Sequence, residues 1–266
     1  CSQSGAPVAL LVPPLMVTSE VYDIEEQLSA VWALGRAGVQ PYVVDFGAPE
    51  ELEGGMTRTL DDHVLGAVAS LRRVREIEGK DVHLLGYSQG GMFAYQAAAF
   101  ERSEGVASII TFGSPVDIHR GIPALRDDAA AAILRFVEPA LSYGLEKVEG
   151  LPGALTATGF KLLSPRKEIE QRVEFLKKLH DRGALERREA RRNFLNGAGF
   201  VGWARPAFSN FVAQFIIHNR ILSRGVLLDS NAVPRGAPRR PRRPRPASAA
   251  SRCPRGTSGS WSARRR

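Results

Sequence analysis

The chain has 266 residues, 44% apolar and 24% charged, enough to bury one sizeable core and ordinary for a globular protein in water. Its two cysteines, Cys1 and Cys253, exclude a disulfide framework or a cysteine metal site, and the lack of a run of roughly 18 apolar residues excludes a spanning helix. The formal charge of +8 belongs to one segment: residues 235–266 hold 11 arginines and no acid, leaving 25 basic against 28 acidic residues before them.

No basic n-region with an apolar core opens the chain, so no signal peptide is expected, and a reducing, cytoplasmic setting is. The chain starts at Cys1 with an apolar run close behind, which reads as a fragment lacking its original N-terminus. Val8 to Val12 is a buried strand stopped by Pro13-Pro14. Ile24, Leu28, Val31, Trp32 and Leu34 predict a helix from about Val21 to Ala37, ended by Gly38. Pro41 to Phe46 is a second strand. Thr59-Leu60-Asp61-Asp62 starts a helix whose apolar face, Leu60, Val64, Val68 and Leu71, runs to Gly79. Val82 to Leu85 is a third strand, Gly91 to Phe100 an alanine-rich helix, and Ser108 to Phe112 a fourth strand.

Strands alternating with helices through short connections predict an α/β fold with a doubly wound, mostly parallel sheet. Chemistry is then expected at the carboxyl ends of the strands. From Ile118 to Leu222 the alternation stops. Charge-rich helical sequence such as Pro165 to Arg192 precedes Phe194, Phe200, Trp203, Phe208, Phe211 and Phe215. The chain is therefore expected to divide into a core (1–117), a helical cap (118–222), the start of a further strand (223–234, with Gly225 to Leu228) and an Arg/Pro-rich tail (235–266).

Leu84-Leu85-Gly86-Tyr87-Ser88-Gln89-Gly90-Gly91 follows a strand and opens a helix, the context that makes Gly-x-Ser-x-Gly a nucleophile elbow. Glycines leave room around a sharp turn, and the helix N-terminus favours negative charge on the reacting oxygen. Ser88 is thus the candidate nucleophile of an acyl-transfer site in an α/β-hydrolase-like fold. The backbone N–H of Gln89 is one candidate oxyanion donor. The second comes from the loop after the first strand, where the prolines have no N–H, so it falls to Leu15 or Met16.

Together, Val12-Pro13-Pro14, Val43 to Phe46, Leu84 to Gly91, Thr111 to Asp117 and, more thinly, His218 to Leu222 resemble polyhydroxyalkanoate synthases in order and spacing, over roughly residues 6 to 228. Those synthases carry cysteine where this chain has Ser88. A thiolate is a good leaving group for repeated acyl transfer, whereas a serine ester is more often resolved by water. The resemblance therefore implies an esterase or lipase relative, similar to the synthase-like lipase module that actinobacteria carry beside an acyl-CoA ligase module. It implies an acyl ester or acyl-CoA-type substrate, with a membrane surface or lipid granule and a second copy as compatible partners.

In such a fold the acid and histidine follow the nucleophile on loops after the last two strands, which would fall beyond Leu228. The chain has tail there instead, so those strands are expected to be missing. Asp117 and His119, just past the fourth strand, are the candidate acid and base within the chain, against a plainer reading of Asp117 as a cap. His83 reads as a packing residue of its strand, His218 as a polar contact of the cap, and His63 and His180 as solvated helix positions. Asp45 ends a strand and is not expected to be catalytic.

The tail admits three readings: a basic arm for phosphates, a plain linker, or an out-of-frame end of a GC-rich coding sequence, the favoured one. Trp261 is its only aromatic, so nucleic acid is not the expected partner. With no phosphate-binding glycine loop, metal spacing or dinucleotide fingerprint, neither cofactor nor metal is expected. The competing function class is a catalytically inactive fold that persists as a fragment or binding module.

Overall fold

The computed structural model describes residues 5–25, 28–121, 132, 136–139, 143–144, 150–151, 194 and 199–223. The charged run from Pro165 to Arg192, His180, Gly225 to Leu228 and the Arg/Pro tail lie outside the described residues.

Four strands form one parallel sheet in the order β2-β1-β3-β4: β1 (Val8–Val12), β2 (Gln40–Val43), β3 (Val82–Tyr87) and β4 (Val106–Phe112). β1 is central, and every residue in it is buried. Its alternation sorts the two faces. Val8, Leu10 and Val12 point into a large core with Leu60, Val64, Val68, Leu71, Met92 and Phe93, whereas Ala9 and Leu11 join a smaller one with Tyr22, Val31 and Leu85. Helices α2 (Leu60–Glu78) and α3 (Gln89–Phe100) therefore cover one face and α1 (Ala30–Arg36) the other, the layering that right-handed crossovers impose.

The elements follow local chemistry. Thr59 and Asp62 make a reciprocal capping box at the start of α2, and Gly79 closes it at φ 67°. α1 is shorter than its apolar spacing predicts. Ser29 is extended and its side chain accepts from Trp32 N–H at 2.8 Å, so the helix starts at Ala30. The residues before it form a 3-10 turn, Ser19–Tyr22, that buries Tyr22, while Leu28 and Trp32 stay exposed. The solvated position expected for His63 is also corrected: it is buried, edge-on to Phe46 and stacked near Phe93.

Past β4 a short helix, α4 (Ile118–Gly121), leads out of the core. Later, β5 (Gly150–Leu151) pairs antiparallel with β6 (Trp203–Ala204). Helix α5 (Arg205–Phe211) continues as a π-helical turn, Val212–Ile217, before α6 (Arg220–Ser223). Trp203 and Phe215 are buried in the large core, with Phe208 and Phe211 packed against it.

Candidate active site

β3 ends at Tyr87 and α3 begins at Gln89, so Ser88 alone makes the turn between them. Its backbone stands at φ 53°, ψ −123°, a conformation that costs an L-residue roughly 1–3 kcal/mol and persists only where its surroundings enforce it. Here they do. Ser88 N–H donates to the Phe112 carbonyl of β4 at 2.9 Å, and Gly91 N–H donates to the Ser88 carbonyl at 3.1 Å.

Three glycines make the turn sterically possible. A Cβ at Gly86 would overlap the Gly91 backbone, one at Gly90 the Val12 carbonyl, and one at Gly91 the Ser114 hydroxyl. The need at Gly86 and Gly90 follows from the motif. The need at Gly91 arises from Ser114 beyond β4, a long-range approach with no local signal.

Gln89 opens α3, so its N–H has no helical acceptor. Leu15 and Met16 are the middle residues of a turn in which Val17 N–H approaches the Pro14 carbonyl at 3.4 Å. Among the described residues neither of their N–H groups meets a backbone acceptor. Both side chains are buried in the large core, which anchors the turn.

Much later chain holds this turn from outside. Thr18 N–H donates to the Gly199 carbonyl at 2.9 Å and Val201 N–H to the Met16 carbonyl at 3.2 Å. Gly202 N–H donates to the Glu50 carboxylate, 2.8 Å from each oxygen. Tyr22 lies in the stretch whose apolar spacing predicts a helix, but it ends a 3-10 turn and points between two strands. Its hydroxyl donates to the Val12 carbonyl at 2.7 Å and accepts from Tyr87 N–H at 2.9 Å.

The four described histidines each bond a partner other than Ser88. His83 Nδ1 lies 2.8 Å from Ser108 Oγ. His119 Nε2 donates to the Ile216 carbonyl at 2.8 Å, and His218 Nε2 is 3.1 Å from the Glu138 carboxylate. His63 donates from Nδ1 to the Thr59 carbonyl at 2.7 Å. Asp117 accepts from the Asn219 amide at 2.8 Å and from Arg120 N–H at 3.2 Å. These bonds, the Asn219 one first, hold its carboxyl below the usual carboxylate range. Asp117 thus caps α4, and together Asp117 and His119 tie α4 to the π-helical turn and Asn219. Asp45 accepts from Gly47 N–H at 2.9 Å, a local turn. Among the described residues no group of three or more metal-ligating side chains converges, and no helix is long and apolar enough to cross a membrane.

Residues 9–210 match the profile of the alpha/beta hydrolase family. The chain belongs to that family. Within it, this alpha/beta hydrolase is similar to the poly(3-hydroxyalkanoate) polymerase subunit PhaC of Allochromatium vinosum, 28% identical over 241 residues, covering 86% of this chain and 63% of the relative. The corresponding subunit of Thiocystis violacea is 24% identical over 233 residues, 84% of this chain and 61% of the relative. The chain therefore spans about three fifths of the length of these relatives. Among solved structures, mature Bacillus licheniformis lipase BlEst2 is 21% identical with a TM-score of 0.34, covering 43% of each chain.

Proposed function

We propose that this alpha/beta hydrolase acts on lipid or hydroxyacyl esters and thioesters through an acyl-enzyme on Ser88. One observation carries the reading: a serine, not a glycine, holds φ 53° between a parallel strand and a helix N-terminus. Such strain is retained where a side chain must be presented. The similarity to polymerase subunits supports the acyl substrate class.

In this mechanism Ser88 Oγ loses its proton to a base and attacks the acyl carbonyl. The developing oxyanion takes hydrogen bonds from Gln89 N–H and from Leu15 or Met16 N–H, beside the positive end of α3. The leaving alcohol or thiol departs with a proton, and water resolves the ester. Serine in place of a thiolate favours hydrolysis over chain extension. Residues 1–117 would supply the nucleophile and oxyanion donors, with 118–222 roofing an acyl site. Asp117 and His119 serve in this reading as supports for α4 rather than as acid and base.

Labelling with a fluorophosphonate probe tests the proposal. Expected is covalent labelling of the wild-type chain that disappears in Ser88→Ala and persists in His119→Ala. A second reading, a catalytically silent fold, draws on the other partners that His63, His83, His119 and His218 take up. Labelling that is absent, or that ignores Ser88→Ala, would decide for it.

A further inference from the structure

β1 and β3 part company just before the site. Their last register pair is Val12 with Gly86, after which Pro13 turns β1 away and offers no N–H. Ser88 N–H faces β4, where it bonds Phe112. Tyr87 N–H, one residue earlier, faces the β1 side by the alternation of strand amides, where the ladder has run out. The Tyr22 hydroxyl fills that place. It accepts from Tyr87 N–H at 2.9 Å and donates to the Val12 carbonyl at 2.7 Å. The Leu85 carbonyl, at 3.5 Å, loses the competition for the single phenolic proton.

The link is closely packed on both sides. Tyr22 is 5% exposed, and burial pushes its phenol up, so it stays a neutral donor. The Val12 carbonyl it grips also abuts Gly90. Two residues past Val12 begins the turn that carries the Leu15 and Met16 amides. One residue past Tyr87 stands Ser88, and then the Gln89 amide.

We propose that Tyr22 is a positioning residue whose hydroxyl sets the separation between the Leu15–Met16 turn and the Ser88–Gln89 turn. The inference rests on the function proposed above. Oxyanion donors act only when placed to within a fraction of an ångström of the reacting oxygen, and a misplacement of about 1 Å can cost on the order of 100-fold in rate. Tyr22→Phe keeps the ring and its packing but cuts the link between the strands.

The test is the kinetics of fluorophosphonate labelling on the full chain, resolving the maximal rate from the half-saturating probe concentration. Tyr22→Phe is expected to lower the maximal rate about 10-fold or more, with half-saturation nearly unchanged. Tyr42→Phe is the control for lost stability: Tyr42 is also a buried sheet phenol, but it bonds the distant Glu78. It should lower the melting temperature and leave the maximal rate alone. The proposal is overturned if Tyr22→Phe labels at the wild-type rate, or if both variants slow in proportion to their loss of melting temperature. Should Tyr22→Phe not fold, p-aminophenylalanine at position 22 still donates to Val12 but accepts only weakly from Tyr87 N–H. Slower labelling then supports the role, and wild-type labelling overturns it. Absence of Ser88-dependent labelling in the wild type removes the proposed function and the positioning role with it. A labelled wild type with an indifferent Tyr22 variant removes the positioning role alone.

Discussion

At the scale of single residues, glycine serves two different purposes in this chain. Gly79 ends α2 at φ 67° with open space where a Cβ would go, so Gly79→Ala should cost about 1 kcal/mol of backbone strain. Gly90 has no room, because its Cβ would overlap the Val12 carbonyl at the strand junction. Gly90→Ala should cost about 3 kcal/mol or more and spread β1 from α3, which urea denaturation of the two variants would compare. A second residue-scale expectation concerns His63, whose pKa burial lowers to about 4. The unfolded chain binds this proton near pH 6.5, so between about 4 and 6.5 the unfolded state holds more protons and stability falls as pH falls. From pH 7 to pH 5 the loss should approach about 2 kcal/mol. His63→Phe should flatten that part of a stability–pH curve, as a urea series across the window would show.

At the scale of elements, caps decided what periodicity could not. The second helix was legible because Thr59, Asp62 and Gly79 are local signals written at its ends. Thr59→Ala should remove the box and cost about 1 kcal/mol, measurable by thermal unfolding. The first helix is shorter than its apolar spacing predicts. Ile24, Leu28 and Val31 fit a helical face, yet the Ser29 cap interrupts it, and the Tyr22 hydroxyl finds better partners at the ends of two strands. Those partners lie 10 and 65 positions away in the chain, so no window of sequence around Tyr22 contains them.

Across the whole molecule, β4 is paired on one side only among the described residues. Ile109, Ile110 and Phe112 are 39%, 42% and 54% exposed. Large apolar side chains exposed in this way favour association between chains. Ile110→Lys should therefore reduce concentration-dependent light scattering without changing the far-UV spectrum.

The sequence by itself determined the alternation of strand and helix, the parallel sheet, and the serine turn with Gly86 and Gly90. Each of these is written in residues within a few positions of one another. Only the tertiary structure decided what surrounds Ser88. Its strained backbone is held by Phe112 on the neighbouring strand, and Gly91 is required by Ser114. The Leu15–Met16 turn is held by chain near residues 199–202, and the two strand ends are joined through Tyr22. The physical reason is distance along the chain: each contact joins segments far apart, and most engage backbone amides or carbonyls, which are alike at every residue except proline. Which one meets which is fixed by packing, not by residue type.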